Sequence, residues 1–341
     1  LRSSNAIMHS HSVIYGASDM ISGASSSSAL TFFDFLDRFA DEQSCQKALE
    51  RARWPDGFVC PRCEHRSART FPRNNRKMFE CRGCRHQTHP AVGTIFTDTK
   101  LPLRTWFVAL YLLTQSKTNV AGLELTRHLG VCQRTAWRIK HKIMEAMSRQ
   151  EAARQLRGFV EVDDAYLGGE RNEGIRGRGA PGKQPFIMAV STDREGRPYR
   201  AVADPVTRFD KPEVKRWARS RIHSNVRIFC DGLGGFHAFD DLALAPQRMP
   251  SQPGRKAAQQ PRMKWVNTVL GNIKRAIDGR YHSIRCQKYA RRYLHEATWR
   301  FNRRDKMPDM IFKLIDASTR CRTVTERMLR DISPLTTETR R

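Results

Sequence analysis

Phe159-Val160-Glu161-Val162-Asp163-Asp164 is the stretch on which the fold turns. Apolar and acidic residues alternate along it, so it reads as a β-strand that ends in carboxylates, with Tyr166-Leu167-Gly168-Gly169 following. Successive side chains of a strand point to opposite faces, which puts Glu161 and Asp163 on one side and Asp164 on the other. A second apolar run, Val226-Arg227-Ile228-Phe229-Cys230, delivers Asp231 at its end, followed by Gly232. Two aspartates at strand ends suit a hard cation, since Mg²⁺ takes oxygen ligands and keeps positions open for phosphate and water.

Around this pair the texture is that of short strands. It begins at Gly158, and residues 186–191 and 199–203 read as further strands, while 212–222 carries helical periodicity ahead of the run to Asp231. Strands followed by helix and strand predict an α/β layer. After a Gln-, Pro- and Arg-rich loop at 246–261 the chain reads as helix, ending in a polar tail. Asn267 lies 36 positions beyond Asp231, in the helical stretch Trp265-Val-Asn267-Thr-Val-Leu-Gly-Asn-Ile-Lys274-Arg275. Lys274 is two turns on, on nearly the same face, where it could hold a DNA phosphate beside a metal. Taken singly, acidic residues after strands serve as caps and turns, and a helical Asn is merely solvated. The ordered set of two strand aspartates, then helical Asn and Lys, is what points to a site.

Upstream, Cys60-Pro-Arg-Cys63 and Cys81-Arg-Gly-Cys84 form two CxxC knuckles separated by seventeen residues, a spacing that reads as a zinc site. Each knuckle offers two thiolates to one tetrahedral ion, and a closed four-thiolate site leaves no position for substrate. The zinc is therefore expected to be structural, contributing to folding. A redox pair would need a thioredoxin-like βαβ context that the neighbouring sequence lacks. His65, His86 and His89 could stand in as ligands, but solvent-exposed side chains are the simpler expectation. Arg62, Arg66, Arg69, Arg73, Arg76, Lys77, Arg82 and Arg85 surround the knuckles and are expected to meet phosphates.

Residues 30–52 read as a first helix, with Phe32, Phe35, Leu36, Phe39 and Leu49 at helical intervals, and apolar helix patterns run from Leu103 to about Met147. Within the latter, Gly122-Leu-Glu-Leu-Thr-Arg-His-Leu-Gly130-Val-Cys-Gln-Arg-Thr-Ala-Trp137 has the outline of a helix-turn-helix. Its second helix carries Gln133, Arg134, Arg138, Lys140 and Lys142 as candidate DNA contacts, although a plain helical hairpin with a solvated basic face has the same pattern. Gly177-Arg-Gly-Ala-Pro-Gly182-Lys183 imitates a phosphate-binding loop, but Gln184 stands where a Mg²⁺-binding hydroxyl is needed, no helix follows, and Pro181 removes an amide donor.

Composition narrows the partners. The 341 residues allow two or three domains, and 61 Lys and Arg against 34 acidic residues give a net charge of +27 spread through the chain. A polyanion is the natural partner. No apolar run approaches the roughly 18 residues of a membrane span, so no membrane is expected. Nine unevenly spaced cysteines argue against an extracellular disulfide framework and for reducing cytosol. Residues 1–29, rich in Ser and beginning at Leu1, read as a disordered or spurious extension, with Met8 or Met20 as alternative starts.

Taken together, these motifs resemble the insertion-sequence transposases that join an N-terminal zinc ribbon to a catalytic domain of the DDE superfamily. The likeness spans residues 32–304 and rests on Arg53-Trp-Pro-Asp-Gly-Phe-Val-Cys-Pro-Arg-Cys63, Val160-Glu-Val-Asp-Asp-Ala-Tyr-Leu-Gly-Gly169, Cys230-Asp-Gly232, Asn267 through Lys274, Arg292-Tyr-Leu-His-Glu296 and Arg300-Phe-Asn-Arg-Arg304. It implies a ribonuclease H-like mixed sheet with flanking helices, preceded by a small zinc ribbon and a helical DNA-binding region. The expected boundaries are 30–95 for helix plus ribbon, 96–150 for the helix-turn-helix-like region, 155–305 for the catalytic domain and 306–341 for a helical and polar tail. It further implies Mg²⁺-dependent strand cleavage and transfer at the element's ends by two ions, with Mn²⁺ able to substitute, beside one structural zinc. Asp163 and Asp231 take the first two acidic positions, and Asn267 falls where many relatives place Glu, with Lys274 beside it. A neutral amide lacks a carboxylate's charge, so Glu296 enters as a candidate additional acid, against a structural or DNA-facing role for its segment. Arg134, Arg138, Lys142 and Arg275 are the expected DNA contacts, with terminal inverted repeats and target DNA as partners. The resemblance also implies a homo-oligomer on DNA in the bacterial cytoplasm, associated with the nucleoid. The competing readings are a zinc-ribbon DNA-binding regulator with a degenerate catalytic domain and a structure-specific nuclease that cuts without joining.

Overall fold

The first helical stretch is interrupted by its own capping residues. The computed structural model describes residues 30–74, 76–116, 118–168, 183–249, 260–281 and 286–331. The extension at 1–29, the glycine-rich stretch up to Gly182, most of the 246–261 loop and residues 332–341 lie outside them. Instead of one helix over 30–52 there are two, α1 (Phe32–Arg38) and α2 (Glu42–Arg53). Asp41 takes an extended conformation, and its carboxylate accepts from the Ser44 amide at 2.7 Å, which starts α2 afresh. Phe35, Phe39 and Leu49 still converge on one core, as their spacing predicted.

The ribbon is a three-stranded antiparallel sheet of β1 (Ala68–Arg73), β2 (Arg76–Cys81) and β3 (Gln87–Thr88). Three helices follow: α3 (Leu103–Gln115), α4 (Gly122–Leu129) and α5 (Gln133–Ala152). Pro102 gives α3 no side-chain cap, and Glu42 supplies one from α2, accepting from the amides of Leu103 at 2.8 Å and Arg104 at 3.1 Å. Gly130 ends α4 at φ 62°, a left-handed turn that only glycine adopts freely.

The second layer is a five-stranded mixed sheet in the order β6-β5-β4-β7-β8. Its strands are β4 (Leu156–Leu167), β5 (Gln184–Thr192), β6 (Pro198–Pro205), β7 (Ile222–Cys230) and β8 (Gln247–Arg248). β4, β5 and β6 pair antiparallel, whereas β4 with β7 and β7 with β8 pair parallel. Parallel pairing requires a crossover. Helix α6 (Lys211–Arg221) provides it after β6, its N-terminus capped by Asp210. One face of the sheet is covered by α7 (Lys264–Arg280) and α8 (Cys286–Phe301), the other by α6 and the 3₁₀ segment Gly234–Leu242. Alternation along β4 divides the two cores: Ala165 and Leu167 pack toward α7 and α8, Val160 and Val162 toward α6.

The expected C-terminal tail is in part a core element. Helix α9 (Met310–Arg320) buries Met310, Ile311, Leu314 and Ile315 against α2, α3 and α5, and α10 (Glu326–Arg330) packs on α5 through Leu329. Trp299 of α8 is buried in this same N-terminal core, and α5 packs against both α8 and α9, so the helical region and the sheet share a spine.

A buried polar network joins β6, α6, α8 and α5. Arg221 holds the Asp204 carboxylate through Nε at 2.8 Å and through Nη2, His295 Nε2 lies 2.8 Å from Asp204 Oδ1, and Ser148 Oγ lies 2.8 Å from His295 Nδ1. The Ser-His-Asp connectivity resembles a hydrolytic relay, but all three side chains are buried, which closes it to substrate. Burial alone would raise the Asp204 carboxyl; Arg221 and His295 more than offset it and hold the group below the usual carboxylate range. Asp204→Ala should therefore leave the Arg221 guanidinium buried and unpaired, destabilising the protein by about 3–5 kcal/mol in denaturant titrations. A loss under about 1 kcal/mol would show that the network does not tie the layers together.

Candidate functional site

Asp163 and Asp231 meet because of strand register. β7 runs parallel to β4 and pairs with it as far as Val162 opposite Cys230, so the next residue on each strand is an aspartate. Phe229 packs toward α7 and α8, and alternation carries Asp231 to that same face, the face of Asp163. β4 does not end at its carboxylates: antiparallel pairing with β5 continues to Leu167 opposite Gln184, which fixes Asp163 in mid-strand opposite Met188. The site thus opens where the parallel neighbour stops, at the carboxyl end of β7, the position where open α/β sheets commonly bind ligands.

A third carboxylate joins them. Oxygens of Asp163, Asp164 and Asp231 all lie within 4.8 Å of one another. Asp164 lies on the far face, as alternation assigned it, opposite Ile187 of the α6 core; because β4 and β7 stop pairing at Val162 and Cys230, its carboxylate still comes within reach of the other two. The adjacent Asp163-Asp164 pair was the sequence signal for this. The Asp164 amide donates to Asp163 Oδ1 at 2.9 Å, and Asp231 Oδ1 accepts from Leu233 at 3.0 Å, so Asp163 and Asp231 are both held by backbone. Burial raises the Asp163 carboxyl to about 7; Asp164 and Asp231 add to the rise, while the Asp164 amide and Lys274 oppose it. Like charges gathered in a half-buried cleft suit a divalent cation that would relieve their repulsion.

Helix α7 packs against β4 and brings Lys274 close enough to act on Asp163. Asn267 lies near the start of that helix. Its Nδ2 donates to the Met263 carbonyl at 2.8 Å, which leaves Oδ1 as the available acceptor. Arg275 is exposed and held by its own helix, at Gly271 O and Asn272 Oδ1. Glu296, the candidate additional acid, is not part of the cluster. It is fully buried on α8, burial raises its carboxyl against the pull of Lys140 and Arg300, and neither oxygen has a hydrogen-bond partner among the described residues.

In the ribbon the four thiols of Cys60, Cys63, Cys81 and Cys84 lie within 4.8 Å of one another. Sγ of Cys60 is 3.6 Å from that of Cys84, and the Cys63 to Cys81 separation is the same. Four sulfurs at about 2.3 Å from a tetrahedral ion stand about 3.8 Å apart, so the set fits zinc. The two knuckles repeat one turn: the residue after the second cysteine, Glu64 in one and Arg85 in the other, has φ near +60° (61° and 58°). His65 is exposed as expected, but His89 is buried at 7% exposure, with Nδ1 accepting from Ala91, and burial lowers it to about 4.

Of the expected DNA contacts, Arg134 and Arg138 are exposed at the start of α5, both paired with Glu326 of α10. Lys142 is not on a surface for DNA. It is half-buried, its ammonium donates to the Ile95 carbonyl at 2.9 Å, and burial, with Arg138, lowers its pKa. Lys140 is buried too, bonded to Val120 O and Tyr281. Most of α5 is core, and its exposed residues lie in its first turns and its last one, so of the basic candidates only Arg134 and Arg138 are open to a partner. The eight basic residues around the knuckles are all exposed.

Comparison with known proteins agrees with this geometry. Residues 155–302 match the family described as ISXO2-like transposase domain, and residues 40–87 match that described as transposase zinc-ribbon domain. The chain is 25% identical over 222 residues to an uncharacterized protein in transposable element ISH50 of Halobacterium salinarum, covering 61% of this chain and 72% of that protein. No helix among the described residues is long and apolar enough to cross a membrane.

Proposed function

We propose that this chain, which joins a transposase zinc ribbon to an ISXO2-like transposase domain, cuts and joins DNA strands at the ends of an insertion sequence with Mg²⁺ or Mn²⁺. The observation that carries this reading is the convergence of Asp163, Asp164 and Asp231 within 4.8 Å beside the helix of Asn267 and Lys274. Asp163 and Asp231 hold the ions, Asp164 supplies a further oxygen within reach, and Asn267 Oδ1 is the neutral ligand. Bound there, two divalent ions would activate the attacking oxygen and stabilise the leaving one. Lys274 tempers the repulsion among the aspartates and takes a phosphate of the bound strand. The ribbon's one zinc is structural, and its exposed arginines, with Arg134, Arg138 and Arg275, grip the backbone of the terminal repeats and target DNA. Paired ends call for a homo-oligomer on DNA, working in the bacterial cytoplasm at the nucleoid.

End-labelled element DNA incubated with the protein and Mg²⁺ or Mn²⁺ should yield cleaved ends and then joined products. Binding without cleavage would replace this reading with a regulator, and cleavage without joining with a nuclease.

A further inference from the structure

Helix α7 begins without a cap of its own: its N-cap residue, Met263, has no side chain that can accept the first amides. The acceptor comes from the sheet. Glu161 is 2% exposed, and its Oε2 takes the amide of Trp265 at 2.7 Å and that of Val266 at 2.8 Å. A carboxylate at a helix N-terminus also meets the positive end of the helix dipole. Two further contacts secure the same turn. The Trp265 indole donates to Gly196 O at 2.6 Å, in the β5–β6 connection, and the Arg262 guanidinium lies 4.6 Å and 5.2 Å from the ring centres of Phe159 and Phe229. Those rings sit two residues before Glu161 and Asp231 along β4 and β7.

The arrangement makes Glu161 a bridge between two halves of the site. On β4 it is two residues from Asp163 and on the same face, about 7 Å along the strand. On α7 it binds the amide immediately before Asn267. We infer that Glu161 is a positioning residue: it is no metal ligand, but fixes the register of Asn267 and Lys274 against the aspartate cluster by capping α7 from the sheet. The catalytic consequence rests on the function proposed above, whereas the capping role does not. Loss of the carboxylate would leave each half folded and the distance between them free to vary. A misplacement of about 1 Å in such a site costs about 100-fold in rate.

The test uses the full chain with Glu161→Ala and Glu161→Gln. Without metal, amide exchange across 263–268 should quicken about tenfold or more in Glu161→Ala, while exchange in β4 and β7 stays as in the native chain; Glu161→Gln, whose amide oxygen still accepts, should retain most of the protection. The three carboxylates keep their places and only the neutral ligand Asn267 is loosened, so Mn²⁺ binding by paramagnetic resonance should weaken by no more than about tenfold in Glu161→Ala and stay near native in Glu161→Gln, while strand cleavage should fall about 100-fold in Glu161→Ala, in kcat rather than KM, with Glu161→Gln recovering most of it. Unchanged exchange at 263–268 would overturn the inference, as would Mn²⁺ binding lost in step with the rate, or Glu161→Gln as impaired as Glu161→Ala. If the native chain cuts no DNA, the proposed function fails, while exchange and Mn²⁺ binding still decide the role of Glu161. Should Glu161→Ala not fold, Glu161→Asp, one methylene short of the amides, should show the quickened exchange instead.

Discussion

Asp163→Asn should abolish metal-dependent strand cleavage and at the same time make the metal-free protein more stable at pH 8. Both effects come from the same crowding of charge. Burial lifts the Asp163 carboxyl from its ordinary 3.8 to about 7, with Asp164 and Asp231 adding to the lift. A carboxyl raised by folding binds a proton more tightly in the folded chain than in the unfolded one. Its contribution to stability is full below about pH 4 and is lost as pH rises through about 7. The metal-free protein at pH 8 therefore carries a half-buried anion beside two other carboxylates. Asparagine keeps the shape and removes that charge, so the variant should melt higher than the native chain at pH 8, with the gap closing toward pH 4. Adding Mg²⁺ or Mn²⁺ should raise the melting temperature of the native protein and leave that of the variant nearly unmoved. Cleavage of end-labelled DNA should drop roughly a thousandfold or more, corresponding to the several kcal/mol that bound metal contributes to a phosphoryl transition state. DNA binding at low salt should persist. A variant that cleaves within about tenfold of the native protein, or that melts lower without metal at pH 8, would remove Asp163 from the centre of the site.

That site was legible in the sequence through two residues and blurred at the third. Alternation along β4 and the apolar run before Asp231 located both aspartates, because the period of a strand is visible in sequence, although β4 itself runs on past its carboxylates to Leu167. Asp164 was placed on the far face, and its register opposite Ile187 keeps it there; what alternation could not show is that its carboxylate still reaches the other two where β7 stops, which only the register of Val162 with Cys230 reveals. Lys140 and Lys142 illustrate another limit. Spacing alone reads them as a basic face, yet each ammonium finds a backbone carbonyl inside the protein, Val120 and Ile95, that no local pattern announces. Glu296 entered as a candidate acid because Asn267 lacks a carboxylate's charge; its basic and aromatic helix argued for a structural or DNA-facing role, and the carboxyl is in fact enclosed, with Lys140 and Arg300 near it. Glu161 was assigned its face correctly, but its role depends on a helix beginning 103 positions later, at Lys264, which only the fold brings to it.

Zinc removal should unfold the ribbon while the five-stranded sheet stays intact. The three ribbon strands contribute 6, 6 and 2 residues, and within them only Phe79, Cys81 and Thr88 are buried, so the segment has almost no core of its own. Its apolar support is a small aromatic group in which Phe79 lies 4.9 Å from Trp54 and 5.5 Å from Phe58. Such a module depends on its metal: structural zinc contributes roughly 10–16 kcal/mol in small zinc-binding peptides, far more than three aromatic rings can replace. The sheet of β4 to β8 has separate cores on both faces, drawn from residues outside the ribbon. One zinc per chain is therefore expected by atomic emission, and a strong chelator should raise amide exchange throughout 58–89 without changing exchange in β4, β5 and β7. The consequence for function follows from charge. Arg62, Arg66, Arg69, Arg73 and Arg82 are exposed on this module, and a collapsed ribbon no longer aligns them along a DNA backbone. Affinity for element DNA should weaken, and the slope of log K against log salt should become shallower by about 0.9 for each phosphate that the ribbon no longer neutralises. Cys81→Ser, which removes a buried ligand, should reproduce the chelated state. A chelated chain that keeps its protection over 58–89, or a salt slope that does not change, would show that the four cysteines hold no metal on which folding or DNA binding depends.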